Sequence, residues 1–170
     1  LSRAPLDEAV PPSPLQVEVL SLEPFALVAT RNTGDSADLV VAYEALFGWA
    51  AKHGLIEHIA GIYGVPQQDP RDTPPAECEF DCALAFSAEA IAGDGTVPLT
   101  LGGGLWARLR HVGPYVGLEP ATDALLAEWL PHSGYALRDE PLFHHYLDDP
   151  EQTPEAVLRT DIYLPVAASP

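Results

Sequence analysis

The chain predicts an α+β fold: two tandem strand-helix-strand-strand units about a pseudo-two-fold axis, their two main helices laid on a largely antiparallel sheet. Three observations carry this. First, sliding the sequence against itself by 80 residues matches Leu46, Trp49, Gly54, Asp69, Pro70, Thr73, Pro74, Ala76, Asp81 and Leu84 with Leu126, Trp129, Gly134, Asp149, Pro150, Thr153, Pro154, Ala156, Asp161 and Leu164, without a gap. A constant offset across several segments repeats the order and lengths of elements, not merely a composition. Second, each half holds one stretch of helical apolar spacing followed by strand-like alternation. Third, 170 residues at 47% hydrophobic composition, with no long charge-free apolar run, suit one soluble domain with a substantial core.

The first copy is expected over residues 15–87 and the second over 97–166, within a domain of 15–170. Residues 1–14, LSRAPLDEAVPPSP, are proline-rich and aperiodic and read as a linker or disordered lead-in. LQVEVLSL (15–22) alternates as a strand and PFALVATRN (24–32) is a second. A turn follows at Thr33-Gly34-Asp35-Ser36, with Ser36 or Asp38 as helix cap. Leu39, Ala42, Tyr43, Leu46, Phe47 and Ala50 form a helical stripe, and Gly54 stops it. Strands are expected at 58–65 and 78–86, the latter directing Phe80, Cys82, Leu84 and Phe86 to one face. In the second copy, LWARLRHV (105–112) is a strand and Leu118 to Leu130 a helix, with Pro120 tolerated in its first turn and Pro131 at its end. Strands at 141–147 and 158–166 close it.

A net charge of -17 and a pI near 4.4 argue against direct DNA contact, which needs a basic surface to replace phosphate counterions. Any DNA would be reached only through a separate domain. The same field favours cationic over anionic ligands. No secretory leader or membrane span is visible. The chain begins with leucine and holds no methionine, which predicts a piece of a longer product. Cys78 and Cys82 lie four apart on one strand, about 13 Å, beyond disulfide reach. Reduced thiols suit the cytoplasm. No metal set, cofactor motif or catalytic arrangement is read, and Gly102-Gly103-Gly104 is a bend entering the second copy, not a phosphate loop.

GGGLWARLRHVGPYVGL, EWLPHSGY, FHHYLDDPEQTP and RTDIYLPV, in that order and spacing, resemble the GyrI-like (gyrase-inhibitor-like) family over roughly residues 15–166. That family includes the effector-binding domain at the C-terminus of AraC-type and MerR-type regulators. The resemblance implies a hydrophobic cavity between the copies that takes small lipophilic compounds, often cations. It also implies a glutamate after the phenylalanine of strand 141–147, where this chain has His144; the matching point in the first copy is Gly64. That departure weakens both cation selectivity and the hydrolysis of strained cyclopropane compounds that some relatives perform with that glutamate and a tyrosine.

Alternation supplies the candidate ligand residues. Trp106, Arg108 and Arg110 face away from Leu105, Ala107 and Leu109, so Trp106 suits either a cavity wall or a surface ring covered by arginine stems. Tyr163 shares a face with Asp161; His144 and Tyr146 share a face opposite Phe143 and His145. Trp129 and Trp49 sit at matched helix positions, for packing across the pseudo-dyad or for ligand contact. Tyr115 follows Gly-Pro as a rim or gate, and Tyr63 completes the set. Asp81 and Asp161 recur by duplication and are expected to bond neighbouring groups.

With these residues, the resemblance implies a ligand-sensing domain, the effector-binding part of an AraC-type transcription regulator. The alternatives are a stand-alone protein that hydrolyses or sequesters a reactive xenobiotic, or one that inhibits a partner such as DNA gyrase. A homodimer is compatible with either.

Overall fold

The computed structural model describes residues 15–69 and 71–170; the 1–14 lead-in lies outside the described residues. Among the described residues nine strands and two α-helices follow one another: β1 (Val17–Ser21), β2 (Phe25–Thr33), α1 (Leu39–Lys52), β3 (Ile59–Pro66), β4 (Glu79–Phe86), β5 (Val97–Leu101), β6 (Leu105–Val112), α2 (Leu118–Ala124), β7 (Tyr135–Leu137), β8 (Phe143–Tyr146) and β9 (Arg159–Ala168). All pair antiparallel in one sheet of order β1-β6-β9-β8-β3-β4-β2-β5, with β7 also on β9. The pseudo-dyad passes between β3 and β8 at the Gly64–His144 pair, because β3 and β8 are counterparts and pair with each other there. Among the described residues no helix is long and apolar enough to cross a membrane.

The duplication is not ungapped throughout. Up to the helices the correspondence is 79 residues: Arg31 with Arg110, Gly34 with Gly113, Leu39 with Leu118 and Ala42 with Ala121. Gly34 and Gly113 have φ of 132° and 135°, and each donates its N–H at 2.8 Å, to Cys78 O and Leu158 O respectively. The extra residue enters the second helix, which passes from α-helix to a π-helical turn at Leu125–Trp129 before a 3-10 turn at Leu130–His132. A π turn is how a helix absorbs one added residue without losing its axis. Asp38 occupies the N-cap of α1 without a side-chain cap bond, and the Asp35 carboxylate instead accepts from Ala37 N–H at 3.0 Å. Gly54 follows the C-cap of α1 at φ 70°.

Two crossings shape the sheet. Residues 22–24 join β1 to β2, and Gly102–Gly104 join β5 to β6. Each join spans six strand positions in the sheet order. Flat, six steps of about 4.8 Å would cover about 29 Å. Three linking residues reach only about 15 Å between flanking Cα atoms. The sheet therefore curls until its edges approach. The crossings lie against each other: Leu22 N–H donates to Gly104 O (3.0 Å) and Gly103 N–H to Leu22 O (2.9 Å). β5, the counterpart of β1, was not legible as a strand; with Pro98 and little burial it makes a poor pattern on its own.

Curling divides the apolar residues into three groups. Each helix covers one half of the convex face: α1 with Leu46, Trp49, Cys82 and Leu84, α2 with Leu109, Leu125, Ile162 and Leu164. Trp49 and Trp129 belong to separate groups, so they do not pack across the pseudo-dyad as expected. Trp49 Nε1–H donates to Gly93 O at 2.8 Å, and Trp129 stacks on Tyr135. The concave face carries the third group, to which both sheet ends contribute: Leu20 and Leu22 from one, Leu99 and Leu101 from the other.

The recurring aspartates do the bonding expected of them. Arg31 grips Asp81 through Nε (2.8 Å) and Nη2 (3.0 Å), and Arg110 grips Asp161 with the same atoms and distances. Both carboxylates are buried, and planar bidentate pairing offsets much of their desolvation.

The crossing is testable. Gly102 and Gly103 have φ of 87° and 83°, but only at Gly102 would a Cβ lie 2.5 Å from a carbonyl oxygen, that of Glu23. Both Gly→Ala variants should lose about 1 kcal/mol to backbone strain. Gly102→Ala should lose at least about 1 kcal/mol more, read from urea unfolding.

Candidate functional site

The concave face collects Trp106, Tyr163 and Tyr63 of the sequence-derived set. Phe143 sits at their centre, stacked on Tyr163 (4.7 Å, 10°) and edge-on to Trp106 (4.9 Å). Tyr63 meets Phe143 at 6.0 Å and stacks on His145 at 4.4 Å. Trp106 and Phe143 are each 1% exposed and Tyr163 8%. The apolar hollow expected between the copies is thus largely filled by the chain's own rings. Curling brings enough aromatic volume together to close it.

Open space remains at the two ends of the central seam, because β3 and β8 pair over only three residues. At one end a cleft of about 300 Å³ is bounded by Val65, Leu99, Leu101, Trp106 and Pro141, with Arg31, Gln67, Asp81 and Glu140 as polar groups. At the other end a shallower groove of about 360 Å³ is lined by Ile59–Ile62 and by His145, Tyr146 and Leu147. The two are pseudo-symmetric: Val65, Gln67, Glu140 and Pro141 correspond to His145, Leu147, Ala60 and Gly61. Only the first combines a buried indole with convergent charged groups, the arrangement of a ligand cleft.

The charges in that cleft are already matched. Asp81 accepts two bonds from Arg31 and a third from Gln67 Nε2 at 3.2 Å. The Asp81 carboxylate in turn holds Arg31 above the usual guanidinium range. Arg138 pairs with Glu140 and donates to Val166 O (2.9 Å), Gly103 O (3.1 Å) and Leu105 O (2.9 Å). Its guanidinium carbon lies 5.0 Å from the Trp106 ring centroid, within cation–π range. Trp106 Nε1–H donates to Gly103 O at 3.0 Å.

The other candidates lie elsewhere. His144 and Tyr146 face the helices, with His144 Nδ1 3.3 Å from Tyr146 Oη. Burial, helped by His111, pushes the His144 imidazole down to about 4, so it is neutral at pH 7. Burial also raises Tyr146, and raises Tyr43 well above its ordinary value; Tyr43 donates to Tyr63 O at 2.6 Å. Burial pushes the Cys82 thiol up to about 12, which leaves it protonated and unreactive. Tyr115, 38% exposed, meets Tyr146 edge-on at 5.4 Å, on this same convex side. Trp129 is remote, against Tyr135. Sequence reasoning missed Arg31 and Arg138. Identity of Arg31 with Arg110 at an offset of 79 could have found the first; Arg138 left no signal.

A duplicated antiparallel sheet backed by two helices, with a polar-ended aromatic cleft beside its seam, defines an effector-binding module. The chain belongs to the GyrI-like small molecule binding domain family, whose profile matches residues 15–167. It is 35% identical over 147 residues to the "Probable transcriptional regulator YgiV" of Escherichia coli K12, covering 85% of this chain and 90% of that one. It is 28% identical over 153 residues to a "DNA gyrase inhibitor" of Edwardsiella ictaluri, covering 87% and 97%. In solved structures the fold is shared with EcmrR in a DNA complex (TM-score 0.76, 15% identity, 92% of this chain and 59% of that one). It is shared too with SAV2435 bound to tetraphenylphosphonium (TM-score 0.60, 15% identity, 90% and 93%).

His144 makes stability depend on pH. Its pKa of about 4 in the folded state lies below the ordinary 6.5, so between those values the unfolded chain takes up a proton the folded chain refuses. This contribution is complete above about 6.5 and is lost as pH falls toward 4. Between pH 7 and 4.5 the wild type should lose roughly 2 kcal/mol more than His144→Asn, measured by urea unfolding at both pH values.

Proposed function

We propose that this chain is the ligand-sensing part of a transcription regulator of AraC type, taking a small apolar molecule into the cleft beside Trp106. The observation that carries the reading is that cleft: a deep indole and aliphatic walls with hydrogen-bonding groups at one end, in a family of small-molecule binders. In this reading residues 15–170 are the sensing unit and 1–14 a tether. DNA is contacted by a separate segment, since a chain of net charge -17 is repelled by phosphates. Two free thiols suit a cytoplasmic setting. His144 and Tyr146 lie on the opposite face of the sheet from the cleft, so neither would act on a molecule held there.

A ligand taken into the cleft should raise the melting temperature and shift the indole N–H resonance of Trp106, one of three tryptophans. Trp106→Ala should weaken binding at least tenfold. Binding undiminished in Trp106→Ala would contradict the site.

A second reading, inhibition of DNA gyrase, is favoured by the alignment along 97% of the length of a relative bearing that name. A gyrase supercoiling assay separates the two. The sensing reading expects full supercoiling activity in the presence of excess protein, and dose-dependent loss would favour the second.

A further inference from the structure

We infer that the β6–α2 turn and the β8–β9 loop of the second copy together dock a segment of another protein, one that presents an arginine beside an apolar side chain. The inference does not depend on what the Trp106 cleft holds.

Three valines are exposed at this end of the sheet: Val112 (57%) at the end of β6, Val116 (84%) in the turn before α2, and Val157 (53%) just before β9. One backbone framework holds them near one another. Gly113 N–H donates to Leu158 O at 2.8 Å, and Pro114 O lies 2.9 Å from His111 Nε2, which folds the turn back on β6. The first copy has the same framework, since Gly34 N–H donates to Cys78 O at 2.8 Å. Yet it carries Thr33, Ala37 and Glu77 at the matching positions. The fold therefore requires valine at none of the three. A group of exposed apolar side chains with a charged rim is what a protein contact site presents.

The rim says what kind of partner fits. Val112 stands opposite Arg159, whose guanidinium bonds Asp148 at 2.8 Å. The next residue begins a tight turn in which Asp149 Oδ1 accepts from Glu151 N–H at 2.8 Å; in the first copy Asp69 Oδ1 accepts from Arg71 N–H at 2.9 Å. The two turns share this bond and differ in charge. Arg71 pairs with Asp69 at 2.8 Å and reaches Asp123 of α2 at 2.6 Å. Its counterpart is Glu151, and Glu44 of α1 stands where α2 has Asp123. Among the described residues Glu44, Asp149 and Glu151 form no ion pair. An arginine completes the first turn, and the second lacks one. A partner that supplies it, together with an apolar side chain for the valines, satisfies both parts of the surface. A second copy of this chain is a poor fit. Arg31, Arg71, Arg108, Arg110, Arg138 and Arg159 are already paired, and two chains of net charge -17 repel.

Two short capped probe peptides decide the matter, one of alternating leucine and arginine, the other of alternating serine and arginine. At physiological salt the first should shift the methyl resonances of Val112, Val116 and Val157 in the full chain. It should also bind at least about tenfold more tightly than the second, the difference being apolar burial. Val116→Asp should weaken it at least about tenfold. Glu151→Arg, which gives the second turn the arginine of the first, should weaken it at least about threefold. Equal affinity for the two peptides, or shifts spread over the whole acidic surface, would reduce the effect to net charge and overturn the inference. So would an absence of binding. Without peptide, contacts from the valines to a second copy, with a dimer in sedimentation, or to residues 1–14 would assign the surface to the chain itself and overturn the partner. Should a variant not fold, the comparison of the two peptides on the wild type alone decides.

Discussion

Everything in this structure depends on two three-residue crossings that must join strands six positions apart. A peptide so short cannot span a flat sheet of that width, and the only remedy is curvature. Once the sheet curls, its outer face accepts the two helices and its inner face gathers side chains from both edges. The glycines at 102–104 permit this, since all three take φ values between 79° and 87° and the neighbouring crossing passes against them. Arg138 reinforces the same place by bonding the carbonyls of Gly103, Leu105 and Val166. The cleft is therefore a consequence of how the chain gets from one edge to the other.

Duplication supplies a control for each feature. The arginine–aspartate grips are the same in both halves to a tenth of an ångström, which marks them as needs of the fold. The spaces at the two ends of the seam are not the same. One has Trp106 where the other copy has Leu27, and Glu140 where it has Ala60. The second helix carries a residue the first lacks and accommodates it as a π turn. Features that differ between copies are not demanded by the repeat itself, and it is among these that a recognition role is sought.

Much of the fold was legible because its periods are simple. Strand alternation assigned the faces of β4, β6, β8 and β9, and helical spacing found α1 and α2 with their buried stripes. What escaped has physical reasons. β5 is short and carries a proline. The shift from 79 to 80 residues hides because the identities that reveal the repeat all lie after it. Closure of the hollow depends on curvature, which alternation does not encode. For the site, Trp106, Tyr163 and Tyr63 were brought to one face by parity alone. His144, Tyr146, Tyr115 and Trp129 fell on the other, so a list drawn from aromatic character mixed two surfaces. Arg138 acts through a loop position with no period to betray it.

The curled sheet is the claim on which the rest stands, and one observation reaches it directly. In a flat arrangement Leu99 on one edge strand and Trp106 near the other would lie six strand positions apart; here both bound the same cleft. Methyl-resolved NOE spectroscopy should detect contacts from the Leu99 methyls to the Trp106 indole, together with contacts from Leu20 to the same aromatic group. A well-dispersed spectrum in which Leu99 sees only β2 neighbours would mean that the edges do not meet.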